Sequence, residues 1–505
     1  MMKIENIRLF TAAGQVDLTL ENGACRYEDV TVEYDDGKVA ITGGETPLKT
    51  LEIEYKNEFF RDALVMCDAF ERGYAEFAWK KPDYNRLMPW YFGAYENGRT
   101  YCFGVKTRPN TICTWRCDEE RITLIVDLRN GRLPLALNGR RIEACQMVAQ
   151  NYDGDAFDAL CAFCKVMCDD PRLITGPIYG GNDWYCNYGD SSAEKILRHA
   201  RRIVECAPKD GPKPYMVIDD GWQVCARCTG PWYQGNQLFG DMGALAKQIE
   251  EIGAIPGIWI RPLRTVEMIP QNWVLKRQEG DFAFWMDPSI PEVLDKVAED
   301  IIRIRNWGYK LIKHDFTTGD TFGLEGFQMA DDYVSQEEFA DKTKTTAEII
   351  KQLYQTIRDA AGDDVAIIGC NTISHLSAGY FEIQRTGDDT SGKEWERTKK
   401  YGINTLAFRM PQHNAFYAAD ADCVGITRKL DWNVNRQWLD VLAKSGTPLF
   451  ISIGDDAYTD EVKADITAAF KMAVSNDVVS RPVDWMENMI PQVWDSAFGR
   501  DSYKW

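Results

Sequence analysis

From Gly176 onward the sequence alternates short apolar runs with amphipathic stretches, and few folds accept that rhythm. Runs at 178–179, 215–220, 255–260, 309–315, 365–370, 380–385, 405–408 and 449–453 read as strands. Apolar residues spaced three and four apart predict helices over 193–206, 242–252, 291–307, 343–361, 393–400, 432–444 and 460–475. Strands with intervening helices over this length fit a (β/α)8 TIM-type barrel. An open doubly wound sheet fits less well, because no Gly-rich phosphate-binding fingerprint follows a strand.

The chain before this alternation has a different texture. Residues 1–150 show short period-two runs such as Val30-Thr-Val-Glu-Tyr34, Leu51-Glu-Ile-Glu-Tyr55, Arg121-Ile-Thr-Leu-Ile-Val-Asp127 and Pro134-Leu-Ala-Leu-Asn138. Turn signals separate them at Asp35-Asp-Gly37, Glu96-Asn-Gly98, Arg129-Asn-Gly131 and Asn138-Gly139. The expectation is an antiparallel β-sandwich. Trp79, Trp90 and Tyr91 fit either its core or a lip over a neighbouring site. Residues 151–175 read as a helical linker, with the helix over 156–167, leading into a barrel at 176–478. The tail 479–505 is too short for a sandwich of its own and is expected to pack on the barrel.

Composition removes several classes of function. Lys+Arg 58 against Asp+Glu 77 gives a net charge of −19, which argues against nucleic acid and anionic membrane partners. The N-terminal run lacks a signal-peptide core and no apolar stretch is long enough to span a membrane, so a cytoplasmic location is expected. Cys225 and Cys228, and Cys161 and Cys164, form C-x-x-C pairs without a second ligand pair at zinc spacing. With four histidines besides, the expectation is reduced thiols, no metal and no cofactor.

In such barrels the active site lies at the C-terminal ends of the strands. Those ends carry Asp183-Trp184-Tyr185, Asp219-Asp220-Gly221-Trp222, Trp259-Ile-Arg261, Lys313-His-Asp315, Cys370-Asn371 and Arg385 through Asp389. Lys313 and Asp315 share one face of their strand and His314 points to the other. A lysine two residues from an aspartate favours the ionised carboxylate, which can serve as a nucleophile. A structural Lys–Asp pair is the plainer alternative. Acidic groups with aromatic faces suit a sugar, and glycosidic cleavage needs two carboxyls.

These motifs resemble the α-galactosidases (melibiases) of glycoside hydrolase family 36 and the clan they share with family 27. The matching pieces are Asn182-Asp-Trp-Tyr185, Val217-Ile-Asp-Asp220, Ile255-Pro-Gly-Ile-Trp259, Tyr309 through Lys313-His-Asp-Phe316, Gly369-Cys370, Arg385-Thr-Gly-Asp-Asp-Thr390 and Ala421-Asp-Cys423. They occur in the family's order over about residues 176–475. The resemblance implies a retaining α-glycosidase acting on an oligosaccharide or other glycoside. It makes Asp315 the nucleophile and Asp389, four residues after Arg385, the acid/base, with Asp388 as the rival position or else a neighbour or turn residue. It places Asp219 and Asp220 on sugar hydroxyls, Lys313, Cys370 and Arg385 in the same subsite, and Trp184, Tyr185 and Trp259 as walls. Asp315 is then expected ionised and Asp389 protonated at rest.

Some residues depart from the pattern. Arg261 places a cation near the mouth, where it either pairs with an acidic neighbour or, with the polar loop Asn371-Thr-Ile-Ser-His375, selects a charged or N-acetylated sugar. His314 is expected to face the barrel wall as a hydrogen-bonded histidine. The family's C-terminal β-domain is expected to be absent or reduced to the 479–505 tail, which would bear on any homo-oligomer contacts. Alternatives are an α-N-acetylgalactosaminidase or β-L-arabinopyranosidase, a raffinose-synthase-like transglycosylase, and a lyase using Lys313 as a Schiff-base lysine.

Overall fold

The computed structural model describes residues 2–225, 228–276, 282–324, 326–329 and 333–505. In the N-terminal part, alternation has done what period-two patterning dictates. Along Leu48–Lys56, Leu51, Ile53 and Tyr55 are fully buried. Glu52 and Glu54 point the other way and meet Arg8 of the neighbouring strand at 3.2 Å each. This strand lies within a six-stranded antiparallel sheet, and a seven-stranded antiparallel sheet faces it. Their inner faces share a core in which Trp115 of one sheet meets Phe92 and Phe103 of the other, ring centroids 5.9 and 6.4 Å apart. Asp36-Gly37 and Asn97-Gly98 both have positive φ at each position, as two-residue hairpin turns require.

The expected linker helix is present as Ala156–Met167, capped by the Asp155 carboxylate. Beyond it a nine-stranded parallel sheet is assembled. From one edge it runs Ala418–Asp420, Ile383–Arg385, Ala366–Gly369, Leu311–His314, Ile255–Ile260, Tyr215–Ile218, Tyr179–Asn182, Leu449–Ile453 and Cys423–Ile426. The first strand in sequence pairs with the last, Tyr179 opposite Leu449. The two edge strands are joined through Ala421 and Asp422 alone. A sheet whose edges are consecutive in the chain must curl, and every strand's C-terminal end then faces a common mouth.

Six of the helices lie within about three residues of the expected bounds. Ala193–Cys206, Met242–Ile252 and Asp460–Ser475 have side-chain caps from Ser192, Asp241 and Thr459. Thr346–Ala361 opens on a capping box made by Thr345 and Glu348. Pro291 occupies the first turn of Pro291–Asn306, and Asp431 caps Trp432–Ser445.

The expected strand at 405–408 is a correction. Thr405–Arg409 is helical and continues a π-helical turn, Thr398–Asn404, while the sheet takes its seventh strand from Ala418–Asp420. A four-residue apolar run buried on all sides carries no period, so strand and helix cannot be told apart in it. The tail forms a three-stranded antiparallel sheet. It is held to Trp432–Ser445 by Tyr503, whose hydroxyl donates to Asp440, and by the Lys444–Asp501 ion pair.

The antiparallel layers are fastened to the parallel sheet by buried polar contacts. Arg409 Nε donates to Asp68 Oδ1 at 2.8 Å, with both side chains sealed from solvent. Trp90 stacks on His375 at 5.0 Å, and Trp79 packs on Trp485 of the tail. Trp79, Trp90 and Tyr91 are all buried, so they belong to the core between layers and not to a lip. Arg409→Met strands the Asp68 charge, and a loss of about 3–5 kcal/mol is expected, read as a lower urea midpoint. Asp68→Leu combined with Arg409→Met should recover most of it.

Candidate active site

Asp219, at the end of the second strand, is the point on which the mouth is assembled. Its Oδ2 accepts from Lys313 Nζ at 2.7 Å and from Asn182 Nδ2 at 2.7 Å. Its Oδ1 accepts from the Asp220 amide, and its own amide donates to Asp183 Oδ1 at 2.8 Å. Three strand ends are thereby tied together by one carboxylate. Burial alone would lower the Lys313 ammonium, but the Asp219 charge dominates among its partners and holds it well above the usual lysine value. Lys313 therefore stays protonated.

Asp315 lies just past the fourth strand, and its amide still donates to Ile260 O as the ladder continues. Its Oδ2 accepts from Trp259 Nε1 at 3.0 Å and its Oδ1 from the Phe316 amide at 2.8 Å. Phe316 adopts φ 65°, a left-handed conformation that a bulky residue rarely takes; that turn points its amide back at the carboxylate. Burial pushes the Asp315 carboxyl up, but Lys313, Arg72 and the Trp259 hydrogen bond outweigh it, and the carboxyl sits below the usual aspartate range. His314 lies on the opposite face as expected, against Tyr354 and Phe381. It is not hydrogen-bonded, however: neither ring nitrogen has a partner, and burial lowers it to about 3.

The other side of the mouth is built on Arg385. Its side chain is buried, and Nη2 lies 3.3 Å from Asp389 Oδ1 and 3.0 Å from Asp422 Oδ2. Nη1 donates to Cys370 Sγ at 3.4 Å. Asp422 in turn accepts from Thr390 N and Oγ1 and from the Tyr185 hydroxyl. Tyr185 is therefore a support for this acidic group and not an open wall, whereas Trp184 stays partly exposed beside Tyr188. Trp259 is likewise buried, its indole committed to Asp315.

The side chain of Asp389 is 35% exposed, the openness a group meeting a substrate needs. Burial of its surroundings would raise its carboxyl, but Arg385, then Arg72, Lys313 and Arg397, hold it below the usual range. This corrects the expectation of a protonated resting Asp389: two guanidinium groups flank it in the free protein. Asp388 is engaged elsewhere, with Arg72 at 3.1 Å and Arg397 at 3.2 Å. Burial does raise the carboxyl of Asp420, at the end of the seventh strand; Arg385 opposes the rise, Asp422 adds to it, and the result is about 6.

Two expectations about charge resolve locally. Arg261 clamps Asp320 through Nε at 3.0 Å and through Nη2, and lies over the Phe316 ring at 4.2 Å. It thus took the acidic neighbour, and its charge is neutralised. Asn371 braces the first turn of the short helix Thr317–Phe322 after Asp315 by accepting from the Thr318 and Gly319 amides, and His375 bonds Val105 O away from the mouth. Asp220 accepts from Gln223 and from both the amide and the thiol of Cys228.

The sequence reading missed Cys228 as an Asp220 partner, Asp420 and Asp422 as strand-end acids, and above all Arg72. Ala421-Asp-Cys423 was a matching motif and could have pointed to Asp422. Arg72 sits in a loop of the antiparallel layers, about three hundred residues from Asp389 in sequence, and no local pattern marks it.

No protein-family model matches the chain. Among curated proteins, α-galactosidase AgaA of Geobacillus stearothermophilus is 31% identical over 132 residues, which make up 24% of this chain and only 17% of that relative. Among solved structures, the α-galactosidase TtGalA of Thermus thermophilus, in complex with p-nitrophenyl α-D-galactopyranoside, superimposes with a TM-score of 0.62 at 18% identity. That alignment covers 99% of each chain. AgaA, a GH36 α-galactosidase, in complex with 1-deoxygalactonojirimycin gives 0.60 at 14% identity, over 96% of this chain and 71% of that one. The galactosidase domain of the α-galactosidase-sucrose kinase AgaSK gives 0.63 at 15%, over 97% and 77%. The chain thus carries the fold of the glycoside hydrolase family 36 α-galactosidases.

Proposed function

We propose that this protein is a retaining α-glycosidase that cleaves α-galactosides, with an antiparallel β-sandwich at 1–150, a helical linker at 151–175, a catalytic (β/α)8 barrel at 176–478 and a packed tail at 479–505. The observation that carries the reading is the pair of dissimilar carboxyls on one mouth. Asp315 is buried, oriented by Trp259 Nε1 and the Phe316 amide, and kept ionised by Lys313. Asp389 is open to solvent on one side and senses the Asp315 charge. The structural likeness to α-galactosidases with bound galactosides supports the choice of sugar.

In the first step an Asp315 oxygen attacks the anomeric carbon, the bond to the leaving oxygen breaks, and Asp389 gives that oxygen its proton. In the second step Asp389 takes a proton from water, whose oxygen attacks the same carbon and releases Asp315. Two inversions leave the α configuration unchanged. Such a pair works about 5–5.5 Å apart. Because Arg385 and Arg72 keep the resting Asp389 ionised, the proton has to arrive with the substrate. A bound sugar that excludes water strengthens the Asp315 charge felt at Asp389 and drives that uptake. Asp219 and Asp220, already aligned by Asn182, Gln223 and Cys228, are placed to accept sugar hydroxyls.

The Schiff-base reading loses its support, since such a lysine needs a lowered pKa and Lys313 is locked to Asp219 at 2.7 Å. Selection of a charged sugar by Arg261 loses its support for the same kind of reason. Transfer to a sugar acceptor would use the same two carboxyls, and product analysis with and without an added acceptor separates it from hydrolysis.

With p-nitrophenyl α-galactoside, Asp389→Ala should lose about 10²–10⁴-fold in rate, and Asp315→Gly should be inactive until azide restores it as the β-galactosyl azide. Undiminished turnover in either variant would sink the assignment. The pH profile supplies a second check. A nucleophile held below the ordinary range keeps its charge as pH falls, so the acid limb should lie below that of an ordinary aspartate. Lys313→Met removes the cation and should carry the limb of the residual activity to higher pH.

A further inference from the structure

The Asp68–Tyr74 loop leaves the antiparallel layers and enters the mouth of the parallel sheet. It is seated by backbone: the Gly73 amide donates to Thr386 O at 2.8 Å and the Asp388 amide to Gly73 O at 3.0 Å. A Cβ on Gly73 would meet Phe77 and Thr405 at 2.2 and 2.9 Å, so the close approach needs glycine here. The loop therefore carries Arg72 against the segment that bears Asp389.

Arg72 spreads its guanidinium over both acids of that segment. Nη2 lies 3.1 Å from Asp388 Oδ1, and Nη1 lies 3.7 Å from Asp389 Oδ1 and 3.9 Å from Cys370 Sγ. Its side chain is 10% exposed. A charge this buried needs more than one partner, and Glu71 and the Tyr74 hydroxyl supply the rest. Glu71 also accepts from the Gly326 amide, beyond the short helix Thr317–Phe322 that follows Asp315. The Glu71–Arg72 dipeptide thus bridges the segments carrying the two proposed catalytic carboxyls.

We propose that Arg72 is a positioning residue for Asp389, so that the antiparallel layers complete the active site and do not merely flank it. This rests on the reading of Asp389 as the acid/base. A fork that grips Asp388 and reaches Asp389 with the adjacent nitrogen fixes where the second carboxyl stands, which a lysine cannot do. Other charges reach Asp389 as well: Arg385 and Asp388 from its own segment, Lys313 and Asp315 from the fourth strand, and Arg397 from the following helix. The Tyr185 and Tyr188 hydroxyls lie within range of it. Arg385 is buried among these in the parallel sheet itself and Arg397 lies on the following helix, whereas Arg72 comes from the antiparallel layers.

The test compares Arg72→Met and Arg72→Lys with the unsubstituted enzyme. For p-nitrophenyl α-galactoside, Arg72→Met should lower kcat about tenfold to a hundredfold through misplacement of the acid, with KM little changed. The alkaline limb of kcat/KM should move up by about one unit or more, because loss of an opposite charge lets Asp389 hold its proton to higher pH. For galactosyl fluoride, whose leaving group needs little protonation, that limb should not move. Arg72→Lys should return the limb toward its original pH without returning kcat. A limb unmoved in Arg72→Met, with only the thermal midpoint lowered, would reduce Arg72 to packing. Carbon NMR titration of Asp389, assigned with Asp389→Asn, needs no turnover. An enzyme that leaves α-galactosides untouched yet shows Asp389 titrating higher in Arg72→Met would refute the activity while keeping the Arg72 contact; an unshifted Asp389 would overturn the contact itself.

Discussion

Charge withdrawn from water is the constraint around which this molecule is organised. The curled sheet brings its strand ends together, and the sequence has placed acids at most of them. Buried carboxylates persist only where cations and hydrogen-bond donors answer them. Asp219 is answered by Lys313 and Asn182, Asp422 by Arg385 and Thr390, and Asp320 by Arg261 and Trp285. Each pairing also fixes a side chain that could meet a substrate. Satisfying the buried polar groups and preorganising the mouth are one and the same arrangement.

The two candidate catalytic carboxyls differ because their surroundings differ. Asp315 has a donor on each oxygen and little contact with water, so it is rigid. Asp389 is held by guanidinium groups on one side and open on the other. A group that must lose and regain a proton within a catalytic cycle benefits from that openness, and one that must form a bond benefits from fixed orientation. The flanking cations favour the ionised form of Asp389 in the free protein. Substrate changes the electrostatics of the mouth as it fills it.

The antiparallel layers take part in this economy of charge. Arg409 and Asp68 bind them to the helix after Asp389, and the same Asp68–Tyr74 loop carries Glu71 and Arg72. One short segment therefore both anchors the layers and contributes to the mouth. A shift between the two parts of the chain would be felt at Asp389.

How far the sequence could be read follows from the range of each signal. Alternation, capping residues and Asn-Gly turns are local, and the runs at 30–34, 51–55 and 121–127, the hairpin turns and six helices came out of them with bounds off by few residues, whereas Pro134–Asn138 forms no strand. The facing of Lys313 and Asp315 away from His314 is also local, fixed by the two-residue period of a strand. The run at 405–408 failed because burial on every side erases period, and His314 failed because a sequence shows a side chain's face but not its partners. Tertiary structure alone decided that Arg72 reaches Asp389, that Cys228 serves Asp220, and that Arg261 is spent on Asp320. Which oppositely charged groups meet depends on how distant segments pack, and the free energy that pairs them exists only once folding has taken the water away.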